Sequence, residues 1–198
     1  MKKLFLTILM FFSFICKGQI SKTDSILISK TVTDFYSWYA KAASSNDIKE
    51  IRPLFIKDSK GMTTLDFNTY VDNLRKNNFS PTLIEKTIRA YDPCLKNLNK
   101  ISFNDFNTYT DLDQFEEIKC DFNNHYEWTM DMEQIDGADV SKITRINEKD
   151  VIVDVLFFNI GTKDNKKRFW DYKIGRISLI KDAGNWKIND ITVKFKKQ

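Results

Sequence analysis

The chain changes its hydrophobic period about halfway along. Ser21 and Thr23 offer capping hydroxyls for a first helix, and a polar run that starts at Ser44 ends it. Between them, apolar residues recur at steps of four and three, which is the pattern of a helix with one face on a core. The residues of that stripe are Ile28, Val32, Phe35, Tyr39 and Ala42.

Shorter helices follow in the pattern. We expect one from Asp47 to Phe55, and then a polar turn over residues 57–61. Thr64 is the expected cap of a further helix that closes at Asn77. Its apolar face carries Phe67, Tyr70, Val71 and Leu74.

The dipeptide Ser80-Pro81 is the strongest local signal in the chain. A hydroxyl that can cap a helix precedes a proline at the first helical position, where the missing N–H has no helical partner to lose. The helix that begins here keeps an apolar side as far as Leu98. Pro93 must kink this helix or end it early, because it lacks an N–H and crowds the preceding turn.

From about residue 122 the apolar residues alternate with polar ones, as in a strand with one apolar face. We predict a strand over residues 122–132 and a second over residues 151–160. A hairpin follows, formed by residues 169–180 and 186–195 and turned at residues 182–185. Helices in the first half and antiparallel strands in the second indicate the α+β class.

The predicted strand over residues 151–160 is apolar on both of its faces, although Asp154 interrupts one of them. A sheet face in contact with water is normally polar. The second face is therefore expected to be covered by helices, by a loop or by another subunit. Homodimerisation through it is one hypothesis.

The first 18 residues have the composition of a secretory signal peptide. Lys2 and Lys3 precede an apolar run over residues 4–15, and Cys16 and Gly18 supply small side chains for cleavage before residue 19. The run is shorter than the roughly 20 residues that a membrane-spanning helix needs, so we expect no stable membrane span. One domain would then cover residues 19–198 of a protein exported to the periplasm or beyond.

Two alternatives remain open for this segment. It can be retained as a membrane anchor, or Cys16 can carry a lipid after processing. Lipoprotein signals place a small residue directly before the cysteine, and this chain has the bulky Ile15 there. Cleavage without lipid attachment is therefore the favoured prediction.

Removal of the signal peptide changes the charge. The formal net charge of +4 includes Lys2, Lys3 and Lys17, so the mature chain would carry only +1. Several of the remaining basic residues crowd the last five positions, as in a solvated tail. The charge pattern therefore predicts no nucleic-acid partner.

Cys94 and Cys120 remain after cleavage. An even number of cysteines in an exported chain favours a disulfide, and two separate buried thiols are the alternative. Structural zinc needs four soft ligands, and the one histidine, His125, is expected at the surface. The acidic residues at 111–121 lack the glycine turn and spacing of a calcium loop. We expect no metal and no cofactor.

Several aromatic and capping motifs occur together in this order. They are residues 35–39 on the first helix, Gly61-Met62-Thr63-Thr64, Phe79-Ser80, Leu83-Ile84-Glu85, Tyr91, Cys94, Asp121-Phe122, Tyr126, Trp128, Phe169-Trp170 and Trp186-Lys187-Ile188. The chain resembles the NTF2-like superfamily in these stretches, over most of residues 30–192. More narrowly, it looks like a family of exported bacterial proteins of unknown function within that superfamily.

The resemblance implies a cone-shaped α+β fold, with N-terminal helices packed on a curved antiparallel sheet formed by the C-terminal half. It does not fix an activity. The superfamily includes isomerases, dehydratases, transport factors, and immunity or scaffold proteins, so fold alone does not give function.

Four aromatic residues are the main candidates for a ligand site. If both strand faces turn into the concave side of the sheet, the rings would form an apolar wall and Arg176 would orient a ligand. Ordinary core packing is the alternative. The four are Tyr126, Trp128, Trp170 and Tyr172.

Carboxylates are the candidates for acid–base chemistry. The isomerase and dehydratase branches of the superfamily imply an inward-facing base with tyrosine donors, and Asp121 and Asp154 lie on or beside predicted strands. Neither matches a catalytic motif, and Asp154 could instead pair with Arg176. We therefore assign no catalytic residue.

The sequence favours an exported, non-enzymatic domain that binds a small ligand or a protein partner on the concave side of its sheet. One alternative is a periplasmic immunity or inhibitor protein that acts against a toxin. The other is a small enzyme of the isomerase or dehydratase kind.

Overall fold

A computed structural model describes residues 20–45, 48–123 and 126–196. The predicted signal peptide over residues 1–18, the lipidation alternative at Cys16, and His125 lie outside the described residues. Within them the fold is α+β, as predicted. Helices and a small hairpin come first, and an antiparallel sheet of five strands follows in the C-terminal half.

The helices of the described chain are short after the first one. They are α1 (Lys22–Ser44), α2 (Ile48–Ile51), α3 (Asn68–Lys76), α4 (Pro81–Arg89), α5 (Asp92–Leu98), α6 (Phe103–Phe106) and α7 (Leu112–Glu117), followed by a 3-10 turn (Asp121–Asn123).

The strands form two sheets. A small hairpin joins β1 (Leu54–Lys57) and β2 (Thr63–Asp66). The main sheet has the order β3-β4-β6-β7, with β5 paired to the end of β4. Its strands are β3 (Gly137–Arg145), β4 (Asp150–Ile160), β5 (Lys167–Phe169), β6 (Lys173–Asp182) and β7 (Asn185–Phe195).

The first helix begins and ends where the sequence predicts. Ser21 Oγ accepts the backbone N–H of Asp24 at 3.0 Å and caps α1. Asp24 in turn accepts hydrogen bonds from Lys181 Nζ at 2.7 Å and Trp186 Nε1 at 3.0 Å, so the start of the helix is tied to the β6–β7 hairpin. These hydrogen bonds lower the pKa of Asp24 below its ordinary value.

The helices predicted around Phe55 and Thr64 are wrong in their bounds. The second helix ends at Ile51, because Pro53 disfavours a helical conformation in the residue before it and cannot donate to the next turn. Phe55 and Thr64 instead belong to the paired strands β1 and β2. The helix assigned to a Thr64 cap begins only at Asn68 and has no side-chain cap hydrogen bond.

The prediction at Ser80-Pro81 is confirmed. Ser80 Oγ accepts the N–H of Leu83 at 3.0 Å, with Pro81 as the first helical residue. The helix ends at Arg89, and α5 begins at Asp92 with Pro93 in its first turn, so the proline separates two helices. The Ser80 N–H also donates to the carbonyl of Ile188, which joins the start of α4 to β7.

The predicted disulfide is present. Cys94 on α5 and Cys120 after α7 are both buried, with their Cα atoms 4.8 Å apart. A buried disulfide fits an oxidising, exported compartment. Of the helices in the described ranges, none has both the length and the apolar character needed to cross a membrane.

The strand predicted over residues 122–132 is wrong. A 3-10 turn and a tight turn closed by a Tyr126–Asp131 bridge occupy this stretch. The alternation places Trp128 and Met130 on one face of a strand, but Trp128 is buried and Met130 is exposed. Both lie in the turn and not in a strand. The strand that follows, β3, escaped prediction because polar residues such as Asp139 and Lys142 dominate it.

The predicted C-terminal hairpin is confirmed for β6 and β7, which turn through Ala183 and Gly184, both with positive φ. The strand predicted over residues 169–180 is interrupted, however. Phe169 ends β5, which pairs with β4, and a bend at residues 170–172 precedes β6.

The two faces of β4 differ in burial. Val151, Val153 and Phe157 are at most 1% exposed, on the side that faces α1. On the other side, Ile152 and Leu156 are half-buried, and Phe158 is covered by the Lys167 ammonium and the Phe169 ring. Homodimerisation through this second face stays a prediction.

We expect the double variant Cys94→Ala/Cys120→Ala to lose about 3.5 kcal/mol of unfolding free energy. The physical reason is that the open chain regains the entropy of a loop with a sequence separation of 26. Urea denaturation at neutral pH measures the difference. Reductant should move the wild type towards the variant and leave the variant unchanged, and equal midpoints for the oxidised wild type and the variant would contradict the prediction.

Candidate functional site

Two of the four aromatic candidates lie in the hydrophobic core. Trp128 is 5% exposed and packs edge-on against Phe35 and Phe79, with ring centroids 6.1 and 5.2 Å apart. Trp170 is 7% exposed and packs edge-on against Phe157 at 5.6 Å. Core packing, the alternative in the sequence analysis, therefore accounts for both tryptophans.

The two tyrosines lie closer to the surface. Tyr126 is half-buried beside Tyr39. Tyr172 is exposed, stacks on Trp170 at 5.5 Å, and donates a hydrogen bond to Asp131 at 3.0 Å. Partial desolvation, together with the negative charge of Asp131, raises the pKa of Tyr172 to about 12. Tyr172 is therefore a neutral donor at physiological pH.

Asp154 and Arg176 form the ion pair that the sequence offered as an alternative. Arg176 Nε and one terminal nitrogen donate to the two carboxylate oxygens of Asp154 at 2.8 and 3.3 Å. The pair lies on the sheet face opposite to the buried side of β4. Arg176 is therefore separated from Trp170 by the sheet, and the predicted set does not form one site.

Lys173 supplies a buried positive charge that holds the turn at residues 126–131. Its side chain is 4% exposed, and its ammonium donates to the Asp131 carboxylate and to the carbonyl of Met130, each at 2.5 Å. Burial alone would raise the pKa of Asp131, but hydrogen bonds from Lys173, the Glu133 N–H and Tyr172 outweigh it and lower that pKa. The turn is thus anchored to β6 by charge.

Glu127, on the same turn, is the functional candidate that sequence reasoning missed. It is half-buried, and its Oε2 accepts a hydrogen bond from the buried Tyr70 hydroxyl at 2.8 Å. Burial raises the pKa of Glu127 to about 7, and the opposing effects of the Tyr70 hydrogen bond and the Arg52 charge offset it only in part. Alternation had placed Glu127 on the polar face of a strand, where a solvated carboxylate is ordinary and does not indicate a site.

A cleft of about 180 Å³ opens at the Glu127 carboxyl. We call it the Tyr91 cleft, after the ring that forms one wall beside Phe122, with the two ring centroids 4.9 Å apart. Asp121, a predicted site residue, is exposed at its mouth opposite Lys119. Of the seven predicted binding residues, Asp121 is the one that this cleft contains.

A larger groove of about 400 Å³ lies between α4 and β7. We call it the α4–β7 groove. Trp128 and Met130 line it together with Ile191 and Val193 from the helix-facing side of β7. Ala90 and Glu127 line both this groove and the Tyr91 cleft, so the two spaces meet at the Glu127 carboxyl.

A third hollow of about 600 Å³ lies on the other side of α4. Arg75 and Arg89 line it and form exposed ion pairs with neighbours on their own helices, at 2.9 and 2.6 Å, and Asp182 and Lys187 bring one charge of each sign. Exposed pairs of this kind leave little unbalanced charge for a ligand. The junction at Glu127 is therefore the stronger candidate, since a half-buried ionisable group opens into it.

Groups of possible metal ligands are absent from the part of the chain that the structure describes. Across residues 20–45, 48–123 and 126–196, no group of three or more histidine, cysteine, aspartate or glutamate side chains is placed to hold a metal ion.

The chain has also been compared with known proteins. No family model matches it, and no curated protein matches it.

We expect Glu127→Gln to stabilise the protein at pH 8 by about 3 kcal/mol and to change stability little at pH 4.5. A carboxyl whose pKa is raised from 4.5 to about 7 binds its proton more tightly in the folded state. The stability that this bound proton contributes is therefore fully present below pH 4.5 and is lost as the pH rises through about 7. Glutamine keeps the acceptor for Tyr70 but cannot ionise.

Urea unfolding of both proteins at pH 4.5 and pH 8 measures this difference. Glu148→Gln, at an exposed turn position, is the matched control and should show no such pH dependence. A Glu127→Gln effect of equal size at the two pH values would contradict the prediction.

Proposed function

We propose that the protein is an exported, non-enzymatic binding domain of the NTF2-like type. It takes its ligand on the helix-facing side of the sheet, where the Tyr91 cleft and the α4–β7 groove meet. The observation that carries this proposal is the half-buried Glu127 carboxyl, which Tyr70 positions at the junction of the two spaces. Ligand sites commonly combine apolar walls with a few oriented polar groups.

The position of the open space supports a binding site at the β7 end of the sheet rather than at its centre. Over the centre, Tyr36 of α1 packs edge-on against Phe157 of β4 at 5.4 Å, and both rings are fully buried. At β7 the helix-facing residues Ile191 and Val193 are only half-buried. The concave-side binding predicted from sequence is therefore proposed for the β7 end of that side.

Export is part of the same proposal. The buried disulfide fits an oxidising compartment, and residues 1–18 have the pattern of a cleavable signal peptide. A protein partner in that compartment, as for an immunity or inhibitor protein, falls within the binding proposal.

A second candidate function is acid–base catalysis of the isomerase or dehydratase kind. The observation that favours it is also Glu127, because a carboxyl with a pKa near 7 can both accept and return a proton at neutral pH. Exchange of α-hydrogens for deuterium in a panel of cyclic ketones, followed by NMR, tests this function. Exchange that Glu127→Gln abolishes would favour the enzyme, and exchange no faster than in buffer would exclude this reaction.

The binding proposal is tested with a set of small aromatic amines, amides and carboxylic acids added to isotope-labelled protein. We expect amide NMR shifts to concentrate at residues 87–91, 119–122, 127–130 and 190–193, because these residues surround the two spaces. Shifts centred on Ile152 and Arg176, on the opposite face, would contradict the proposal.

An occluding variant sharpens this experiment. Ala90 is exposed yet lines both spaces, so Ala90→Trp should fill their junction without a buried clash and should abolish the shifts. Thr82→Trp places the same ring on an exposed position of α4 outside both spaces and should leave binding unchanged.

A further inference from the structure

The outer edge of β7 is open along the α4–β7 groove. β7 is the last strand in the order β3-β4-β6-β7. In the described chain, its edge away from β6 forms one isolated bridge, between Ile188 and Phe79, which runs parallel. There the Ser80 N–H donates to the Ile188 carbonyl, and the Ile188 N–H donates to the Asn78 carbonyl.

Beyond this bridge, the register shows which backbone groups point outwards. The Lys196 N–H donates to the Tyr172 carbonyl, on the β6 side, and Phe195 pairs with Lys173. Since hydrogen-bonding direction alternates along a strand, Ile191, Val193 and Phe195 turn their N–H and C=O groups away from β6. Ile191 and Val193 also line the groove.

The Glu127 carboxyl adds a polar side chain to these backbone groups, because it also lines the groove. The Trp128 ring contributes an apolar surface, and its indole N–H is buried in the core.

The charges of the groove favour a basic ligand. Lys86 and Asp190, which also line it, form an ion pair with each other at 2.6 Å. Glu127 is the other acidic residue that lines the groove. Its hydrogen-bond donor among the described residues is the neutral Tyr70 hydroxyl, and Arg52 acts on it through its charge. A lysine or arginine side chain of a ligand therefore complements the groove better than an acidic one.

We propose that the α4–β7 groove binds an extended peptide segment, which adds to the β7 edge at residues 191–195 and places a lysine or arginine side chain at Glu127. This inference rests on the proposed function and names its ligand class. Main-chain hydrogen bonds to an open edge provide affinity, and alternate side chains that enter a groove provide specificity. Five strand residues are about 17 Å long, so a segment of five to seven residues fits.

The probe is a phage-displayed library of random seven-residue peptides, selected on the full chain. We expect selected sequences to be rich in β-branched residues and to share one basic position. Synthetic copies should slow hydrogen exchange at the amides of Ile191 and Val193. Methylation of the peptide amides that face β7 should weaken binding about tenfold or more.

Variants of the protein separate the two parts of the proposal. Val193→Pro removes one outward N–H at an edge position where proline is tolerated, and should weaken binding about tenfold. Val193→Ala keeps the N–H and is its matched control. Glu127→Gln should remove the preference for a basic side chain while peptides still bind.

Several results would overturn the inference. These are a selection without binders, equal affinity for Val193→Pro and Val193→Ala, and equal affinity for methylated and unmethylated peptides. The methylated-peptide comparison uses wild-type protein and decides the matter if Val193→Pro does not fold. A dimer that Val193→Pro dissociates would assign the edge to a second copy of the chain instead.

Failure of this inference differs from failure of the proposed function. Small aromatic probes that bind at Glu127 without any peptide binding would overturn the peptide alone. Loss of both would overturn the site itself.

Discussion

The packing of α1 against the helix-facing side of the sheet determines where space is left on that side. Phe35 and Tyr36 are fully buried there, against Trp128 and Phe157 respectively. Burial of rings this large is among the strongest favourable contributions to folding. These rings fill the space over the centre of the sheet, and the α4–β7 groove lies at its β7 end, beside α4.

The turn at residues 126–131 holds two carboxylates in different settings, although it forms no strand or helix. Lys173 holds Asp131 by a buried ion pair, and Tyr70 holds Glu127 by a hydrogen bond. The first contact fixes the turn, whereas the second leaves an acid in a place that disfavours its charged form. Ionisable groups in such unfavourable settings are concentrated at functional sites, which distinguishes Glu127 from the well-paired Asp131.

Sequence reasoning succeeded where local chemistry decides the structure. The Ser80 cap, the stripe of α1 and the β6–β7 turn each depend on a few neighbouring residues. The fold class followed from the order of such local patterns along the chain. Sequence reasoning failed where distant contacts decide. Alternation around Trp128 imitated a strand. Glu127 owes its raised pKa to burial, and its hydrogen-bond donor Tyr70 lies 57 positions away in the chain. Of the seven residues predicted for binding, Trp128 and Asp121 line the two spaces, and they line different ones.

The disulfide has a consequence for when the site is complete. Tyr91 precedes Cys94 by three residues, and Phe122 follows Cys120 by two, so the covalent bond braces the two rings that pack edge-on in the lining of the Tyr91 cleft. A newly made chain with free thiols lacks that brace. On the proposed function, completion of the binding surface would then coincide with oxidation of the thiols in an oxidising compartment.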